Sequence, residues 1–472
     1  MILKVPALLI ILFVVYGIIF SGMFPLWEGQ DEHGHFGYVQ YISEKKNLPS
    51  DRDNLSNEIV YTFEKTPTEA LSSIAPEFMQ IVGLQPHPYS TYWDNFDLKE
   101  IQNNRKLISS QPLESRINSE SVLTIYEAIQ PPLSYLVQAP VYLLFYDQDI
   151  LTRVFTLRIF SILVTAAAAV VAYKTISLLF DDRFMRVGSL MFIVFNPMFT
   201  SNVSRVNNEA LTILLFSVFL YLMVLYLKGK TNTKFVIIIG VVLSLGLLTK
   251  VTFMPAVMLV PIFIFLKYIQ KNTQKPRISI LQSFKNLGLI FGITIPMVSW
   301  WYYERFGAGN ITGVPGLHGI NIEEFIQAIF EFPWVVYHTV FFNSFWGTFG
   351  FSYIVAPSPY FQIVIIFICI SIAGLGYGIA VKLKQHGGKI FRNWRYQSIF
   401  VFGLSFPLII LAQLMFNIQY WAISEQAVPA GWYTFISFTA IAMILLLGYR
   451  TIIINSKLKQ FKEESLLAAF II

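Results

Sequence analysis

Long unbroken apolar runs dominate the chain, rather than the alternating or striped patterns of soluble strands and helices. They fall at roughly 3–24, 154–180, 187–203, 209–227, 235–249, 251–266, 286–302, 360–381, 398–417 and 432–449. The leading ones reach the ~20 residues that a helix needs to cross the hydrocarbon core of a bilayer, and a helix apolar on every side is a membrane span or a core helix. The pattern predicts ten spans. The division between the fifth and sixth is the narrowest, because "LLTKVTFMPA" scarcely leaves the apolar region. The first run has Lys4 ahead of it and "SGMFPLWEG" behind, with no small-residue cleavage site, as expected of a retained anchor rather than a removed signal peptide.

Composition supports this reading. The 472 residues are 55% hydrophobic and 13% charged, against about a quarter charged in soluble domains. The lone cysteine, Cys369, excludes an internal disulfide and a cysteine metal cluster. The net charge of +6 does not imply nucleic acid, because the bases sit where the membrane predicts them. "KGKTNTK" (228–234), the stretch 267–285 and "KLKQHGGKIFRNWR" (382–395) carry bases and no acids, and the tail after Arg450 is basic too. By contrast, 418–430 carries Glu425 and no base, and 303–345 is mostly acidic. A ten-span arrangement puts every basic loop and both termini on the cytoplasmic side. The expectation is one membrane domain over 1–472, all-α and polytopic.

Two regions then face outward. The first loop, 25–150, holds most of the 28 acidic residues. Within it, "QPPLSYLVQAPVYLLFY" (130–146) is apolar, short for a span and headed by two prolines, which predicts a helix lying in the membrane interface. The second region, 303–358, opens with a glycine-rich stretch, 307–319, that predicts a mobile loop. "IEEFIQAIFEFPWVVYHTVFF" after it predicts another interfacial helix.

Candidate chemistry gathers at the start of the first loop, in "WEGQDEHGHFGYVQYISEKKNLPS" (27–50). Asp31 and Glu32 leave the first span within eight residues, at the outer surface. If 31–43 is helical, Asp31 and His35 share a face at i,i+4. A carboxylate there suits a general base or a ligand of a divalent cation such as Mg or Mn. The plainer alternative is that Asp31 caps the helix. Zinc held by His33 and His35 lacks a third ligand. Cations recur at the outer span ends, namely Arg153, Arg158, Arg205, Lys250 and Arg305. Each either snorkels or pairs locally, or faces a polar interior where an anionic headgroup binds. Trp93, Trp346, Trp421 and Trp432 fall on the same side, as interfacial belt residues or sugar-stacking surfaces.

"PLWEGQDEHGHFGYVQYISEKKNLP" resembles the first-loop signature of bacterial and archaeal GT-C membrane glycosyltransferases, relatives of protein O-mannosyltransferases and aminoarabinose transferases. Asp31, Glu32, His35, Phe36, Tyr38, Leu48 and Pro49 carry the likeness. Gln130, Pro131, Pro132, Leu133 and Tyr135 resemble the family's interfacial-helix motif. Asn207, Asn208 and Glu209 resemble its third outer turn, and "LGLLTK" ending at Lys250 and "WWYYERFGAGNITG" have analogues too. The likeness runs over roughly 25–350. It departs at "AISEQAVPAGWYTF", where many relatives carry an arginine before the last span.

The resemblance implies a GT-C-like fold and an inverting transfer of a hexosyl or pentosyl unit from a polyprenyl-phosphate donor to a protein, lipid or glycan acceptor at the extracytoplasmic face. Asp31 is then the base, with Glu32 its alternative or a metal ligand. Lys250 and Arg305, then Arg205, are the phosphate partners. His35, Tyr38, Gln130 and Asn208 complete the substrate-binding set. Two other readings compete: a lipid-linked sugar transporter or flippase, and a non-catalytic scaffold of an envelope-polysaccharide complex. Neither needs a base, and the spans are nearly free of the acids that transporters keep there.

Overall fold

The computed structural model describes residues 4–455 apart from 51, 70, 72–78, 81, 121, 272–275, 308–320 and 350–353. The protein is helical, with two-residue strands Thr348–Phe349 and Ile354–Val355 pairing as a minor hairpin. Among the described residues, eight helices are long and apolar enough to span a membrane: Val5–Met23, Ile150–Leu179, Glu209–Lys228, Val251–Gln270, Ile280–Glu304, Ser358–Arg392, Trp394–Ser424 and Gly431–Ile453. It is an integral membrane protein.

Two of the ten predicted spans fall short of that length. The run 187–203 divides into Arg183–Val194 and Pro197–Val203, because Pro197 cannot continue a helix and Asn196 caps the new one through Phe199 N (2.7 Å). The run 235–249 forms only Thr233–Leu247. Both nevertheless carry the chain from one end of the bundle to the other. At one end, Arg395 pairs with Asp181, Arg450 with Asp182, and Lys267 donates to the Leu227 carbonyl. At the other end Glu32 meets Arg158 and Val206 N, and Lys250 meets Glu209. Both segments, 187–203 and 235–249, are shorter than a bilayer requires.

The two outer segments expected to lie in the interface are helical, the second of them as two helices rather than one. Leu133–Leu144 starts just after Pro131 and Pro132, turning Tyr135, Gln138 and Tyr142 inward while Leu136, Leu143 and Leu144 stay exposed. The stretch 322–346 is a bent pair, Ile322–Glu331 and Trp334–Trp346, with a 76° angle. Pro333 lies at the break, and Phe332 packs on Trp421 near the end of a span.

The first loop has its own apolar core. Trp27, Phe36, Tyr38, Ile59, Phe63, Tyr135 and Tyr142 are buried together with Val154 and Leu157 of the second span. A buried ionic network fastens this core. Glu58 accepts from Arg153 and from Gln40 (2.7 Å), Arg116 lies 3.5 Å away, and Gln40 accepts in turn from Ser56 (2.6 Å).

The bundle core relies on close helix approach. Gly374 of Ser358–His386 and Gly448 of Phe438–Asn455 face backbone carbonyls of the opposite helix: a Cβ at Gly448 would collide with the Ser371 oxygen, and one at Gly374 with the Gly448 oxygen. Small residues at such crossings let backbones touch in lipid. Gly448→Leu is therefore expected to destabilise the detergent-solubilised protein by about 1–3 kcal/mol, seen as a lower Tm. Gly376→Ala, with open space around its site, should leave Tm unchanged; equal effects from the two would contradict this packing.

Candidate active site

The link from the first span to the loop helix Glu32–Lys45 is a strained turn. Trp27 (φ 65°) and Asp31 (φ 59°) are both left-handed non-glycine residues, a conformation that persists only where the surroundings enforce it. Trp27 is buried and donates to Thr62 Oγ1 (2.5 Å). Asp31 occupies the N-cap position, yet its side chain makes no capping hydrogen bond. Instead Asp31 Oδ1 accepts from the Tyr126 hydroxyl at 2.7 Å. Asp31 thus stands at the N-cap position without the capping hydrogen bond, its carboxylate answered by Tyr126.

Glu32 turns the other way. It is fully buried, accepting from Arg158 Nε (2.8 Å) and Nη2 (2.5 Å) and from Val206 N (2.9 Å). Burial alone would raise its pKa, but the Arg158 guanidinium and the Val206 amide hold it below the usual carboxylate range. Arg158 also donates to the carbonyls of Ser21, Phe24 and Pro25. One guanidinium thus joins the end of the first span, the second span and the loop helix. Glu32 is fully engaged in this joint.

Around Asp31 the structure gathers His35, Tyr38, Gln130, Asn208 and Lys250 from the expected set. His35 Nδ1 lies 2.9 Å from the Tyr135 hydroxyl and 3.5 Å from Glu127 Oε2, and Tyr135 stacks on Tyr38 with ring centres 3.9 Å apart. Asn208 Nδ2 donates to the same Tyr135 hydroxyl (3.3 Å). Leu133 N donates to the Leu248 carbonyl (2.9 Å), bringing the interfacial helix to the Lys250 turn. Gly34 lets the loop helix close on this cluster, since a Cβ there would sit 3.1 Å from Glu127 Cγ and 3.2 Å from the Tyr126 ring.

Lys250 is not a free cation: it pairs with Glu209, and its ammonium lies 5.0 Å from the Tyr433 ring centre. Arg205 is not paired with Glu209 as the i,i+4 spacing suggested. It donates to the Ser201 carbonyl (3.2 Å) and hydroxyl (3.4 Å) and packs over Gly29, on the Glu32 side of the turn. Arg305 falls within the helix Pro276–Gly307, but its side chain, like most of the 307–319 loop, lies outside the described residues.

The electrostatics separate the carboxylates. Burial, then the charge of Asp31, raises Glu127 well above the ordinary carboxylate value, keeping it a neutral acid. Burial lowers His33 and His35 to about 4, so both imidazoles are neutral. Burial and the neighbouring Asp31 push the Tyr126 phenol up, so it stays a donor. Gln130 Oε1 and Asn208 Oδ1 are buried acceptors with no donor among the described residues, as in a site that awaits a ligand's hydroxyls. The expected Mg or Mn site at Asp31 and Glu32 does not fit. Glu32 is spent on Arg158, and no three metal-ligating side chains converge among the described residues.

Tyr126, Glu127 and Tyr433 had not been singled out in the sequence. The signal available for the first two was an acid set in the apolar stretch "LTIYEAIQPPL" (123–133), directly ahead of the proline motif.

Residues 130–302, which supply Gln130, Tyr135, Arg158, Asn208 and Lys250, match the family model described as dolichyl-phosphate-mannose-protein mannosyltransferase. The match is to a glycosyltransferase family. No curated protein matches the chain. Among solved structures, the chain is similar to the oligosaccharyltransferase AglB from Archaeoglobus fulgidus in complex with an inhibitory peptide and a dolichol-phosphate, at 12% identity and TM-score 0.39, covering 73% of this chain and 45% of that one. It is also similar to the Archaeoglobus fulgidus oligosaccharyltransferase in complex with Zn and sulfate, at 12% identity and TM-score 0.37, covering 73% and 44%. The chain thus spans less than half the length of these structures.

The buried histidines give the protein an acid limit. Unfolded histidine titrates near ~6.5, whereas folded His33 does so at about 4. Between those values the unfolded chain binds a proton that the folded one refuses, so stability is lost as pH falls through the window. His33→Phe, which keeps the edge-on contacts with Phe63 and Tyr126, is expected to shrink the drop in Tm between roughly pH 7 and pH 4.5. An undiminished drop would show that His33 does not set it.

Proposed function

We propose that the protein transfers a sugar from a polyprenyl-phosphate carrier to an acceptor hydroxyl at the extracytoplasmic membrane face, with Asp31 as the base. One observation carries the reading: Asp31 is held off its own helix by Tyr126, beside the neutral acid Glu127 and the Lys250–Glu209 pair. The family match over 130–302 supports it.

In this reading the acceptor oxygen forms a bond to the anomeric carbon as the bond to the carrier phosphate breaks, with inversion. Asp31 takes the acceptor's proton. The electron pair leaves on the lipid phosphate, which needs no acid when cations stabilise its charge. Lys250, with Arg205 behind the turn, is placed to do so. Glu127 and Tyr126 fix the carboxylate's orientation, Gln130 and Asn208 receive sugar hydroxyls, and Glu32 holds the loop. The basic short loops support a topology with both termini cytoplasmic and the 25–150 and 303–358 regions outside.

Membranes containing the wild type or Asp31→Asn, supplied with radiolabelled polyprenyl-phosphate sugars and cell-envelope extract, test the reading. The expected result is turnover of one donor by the wild type, and a fall of at least ~100-fold in Asp31→Asn at equal membrane abundance. Full turnover by Asp31→Asn would remove the base. Stoichiometric donor translocation without cleavage would favour a transporter.

A further inference from the structure

A second cavity opens on the first loop, away from Asp31. It measures about 510 Å³ and is walled by Tyr41, Glu44 and Lys45 near the end of the loop helix, by Arg52, Asp53 and Asn54 after it, and by Arg116 and Asn118. No spanning helix lines it, so it belongs to the aqueous side of the loop. Tyr41 lies ten residues beyond Asp31 along the loop helix, roughly 15 Å at a helical rise.

The polar groups of this cavity are asymmetrically engaged. Its carboxylates are saturated by neutral donors: Glu44 accepts from Tyr142 (2.9 Å) and Tyr146 (3.2 Å), and Asp53 from Tyr41 (3.0 Å) and from the Ser50 amide (2.7 Å) and hydroxyl (2.8 Å). The Ser50 and Tyr41 hydrogen bonds outweigh burial and hold Asp53 below its usual range, so it stays ionised and turned to those donors. Lys45 and Arg52, by contrast, make no side-chain hydrogen bond or ion pair among the described residues, and the same is true of the Asn54 and Asn118 amides. Behind them Arg116 is nine-tenths buried, with Nη1 on the Tyr146 carbonyl (2.5 Å), Nη2 on Gln148 O (3.1 Å), and Nε ion-paired with Glu58 (3.5 Å).

We infer that this cavity binds an anionic sugar unit, a hexuronate, whose carboxylate meets Lys45 and Arg52 and whose hydroxyls meet the amides of Asn54 and Asn118. Charge-assisted hydrogen bonds to a carboxylate are the strong ones. Planar amides supply paired donor and acceptor groups to adjacent hydroxyls. The tyrosine and serine donors fix Glu44 and Asp53 in place, so that Lys45 acts on Asp53 through its charge and not through an ion pair among the described residues. Use of the cavity as a holding site for an acceptor glycan rests on the transferase reading above; the binding itself does not.

Saturation-transfer NMR on the full-length protein in detergent micelles tests the inference, with trigalacturonate as probe and maltotriose as its neutral counterpart. The Asp31→Asn protein is used throughout, so that binding is read without turnover and separately from the base assignment. Trigalacturonate should bind at millimolar concentration with maltotriose at least roughly tenfold weaker, and Lys45→Gln/Arg52→Gln should weaken trigalacturonate by at least roughly tenfold. These two side chains are exposed, so their replacement leaves the fold intact, and an unchanged Tm confirms it. Asn118→Ala should weaken both sugars. Absence of trigalacturonate binding, equal binding of the two sugars, or binding indifferent to the double variant would each overturn the inference.

Discussion

The contact between Glu32 and Arg158 is the joint on which the site depends. A carboxylate and a guanidinium, both removed from water, are stable together only when nearly every lone pair and N–H is used. Here the carboxylate takes two guanidinium donors and a backbone amide, while Arg158 also holds three carbonyls at the end of the first span. Because Asp31 precedes Glu32 directly, fixing one carboxylate inward fixes the other outward through the left-handed turn. Two adjacent acids in the sequence thereby acquire separate surroundings, Glu32 on Arg158 and Asp31 on the Tyr126 hydroxyl.

A second layer of order comes from pushing ionisable groups apart in charge. Glu127 is kept neutral by burial and by Asp31, His35 is neutral by burial, and Lys250 is answered by Glu209. The cluster carries few unpaired charges despite its many titratable groups, which is how a polar site persists beside lipid. Among the described residues, the buried acceptors on Gln130 and Asn208 have no donor, and His33 Nδ1, Gln30 Oε1 and Glu28 Oε1 have no hydrogen-bond partner either.

Much of the fold was legible because membrane helices announce themselves. Every one of the ten apolar runs is helical among the described residues, and eight helices have the length and apolarity of a span. Length was not legible where Asn196 and Pro197 broke a run that hydropathy shows as continuous. Asp31, His35, Tyr38, Gln130, Asn208 and Lys250 stand out in the sequence because they lie in short dense motifs. The partner of Glu32 does not: Arg158 lies 126 positions away, and a charge inside an apolar run reads equally well as snorkelling. Glu209 pairs with Lys250 across helices, a contact that no local spacing reveals. Tyr126 and Glu127 reach Asp31 only through the folded loop, and no spacing rule links residues that far apart.

A double-mutant cycle on this joint is the most direct measurement. Glu32→Gln, Arg158→Met and their combination would be compared for unfolding in detergent and for Asp31-dependent turnover. Removing one partner strands a buried charge, a loss of about 3–5 kcal/mol, so the account predicts that each single variant is severely impaired and that the double is no worse than the worse single. Losses that simply add, with a coupling near zero, would contradict the claim that this pair positions the site.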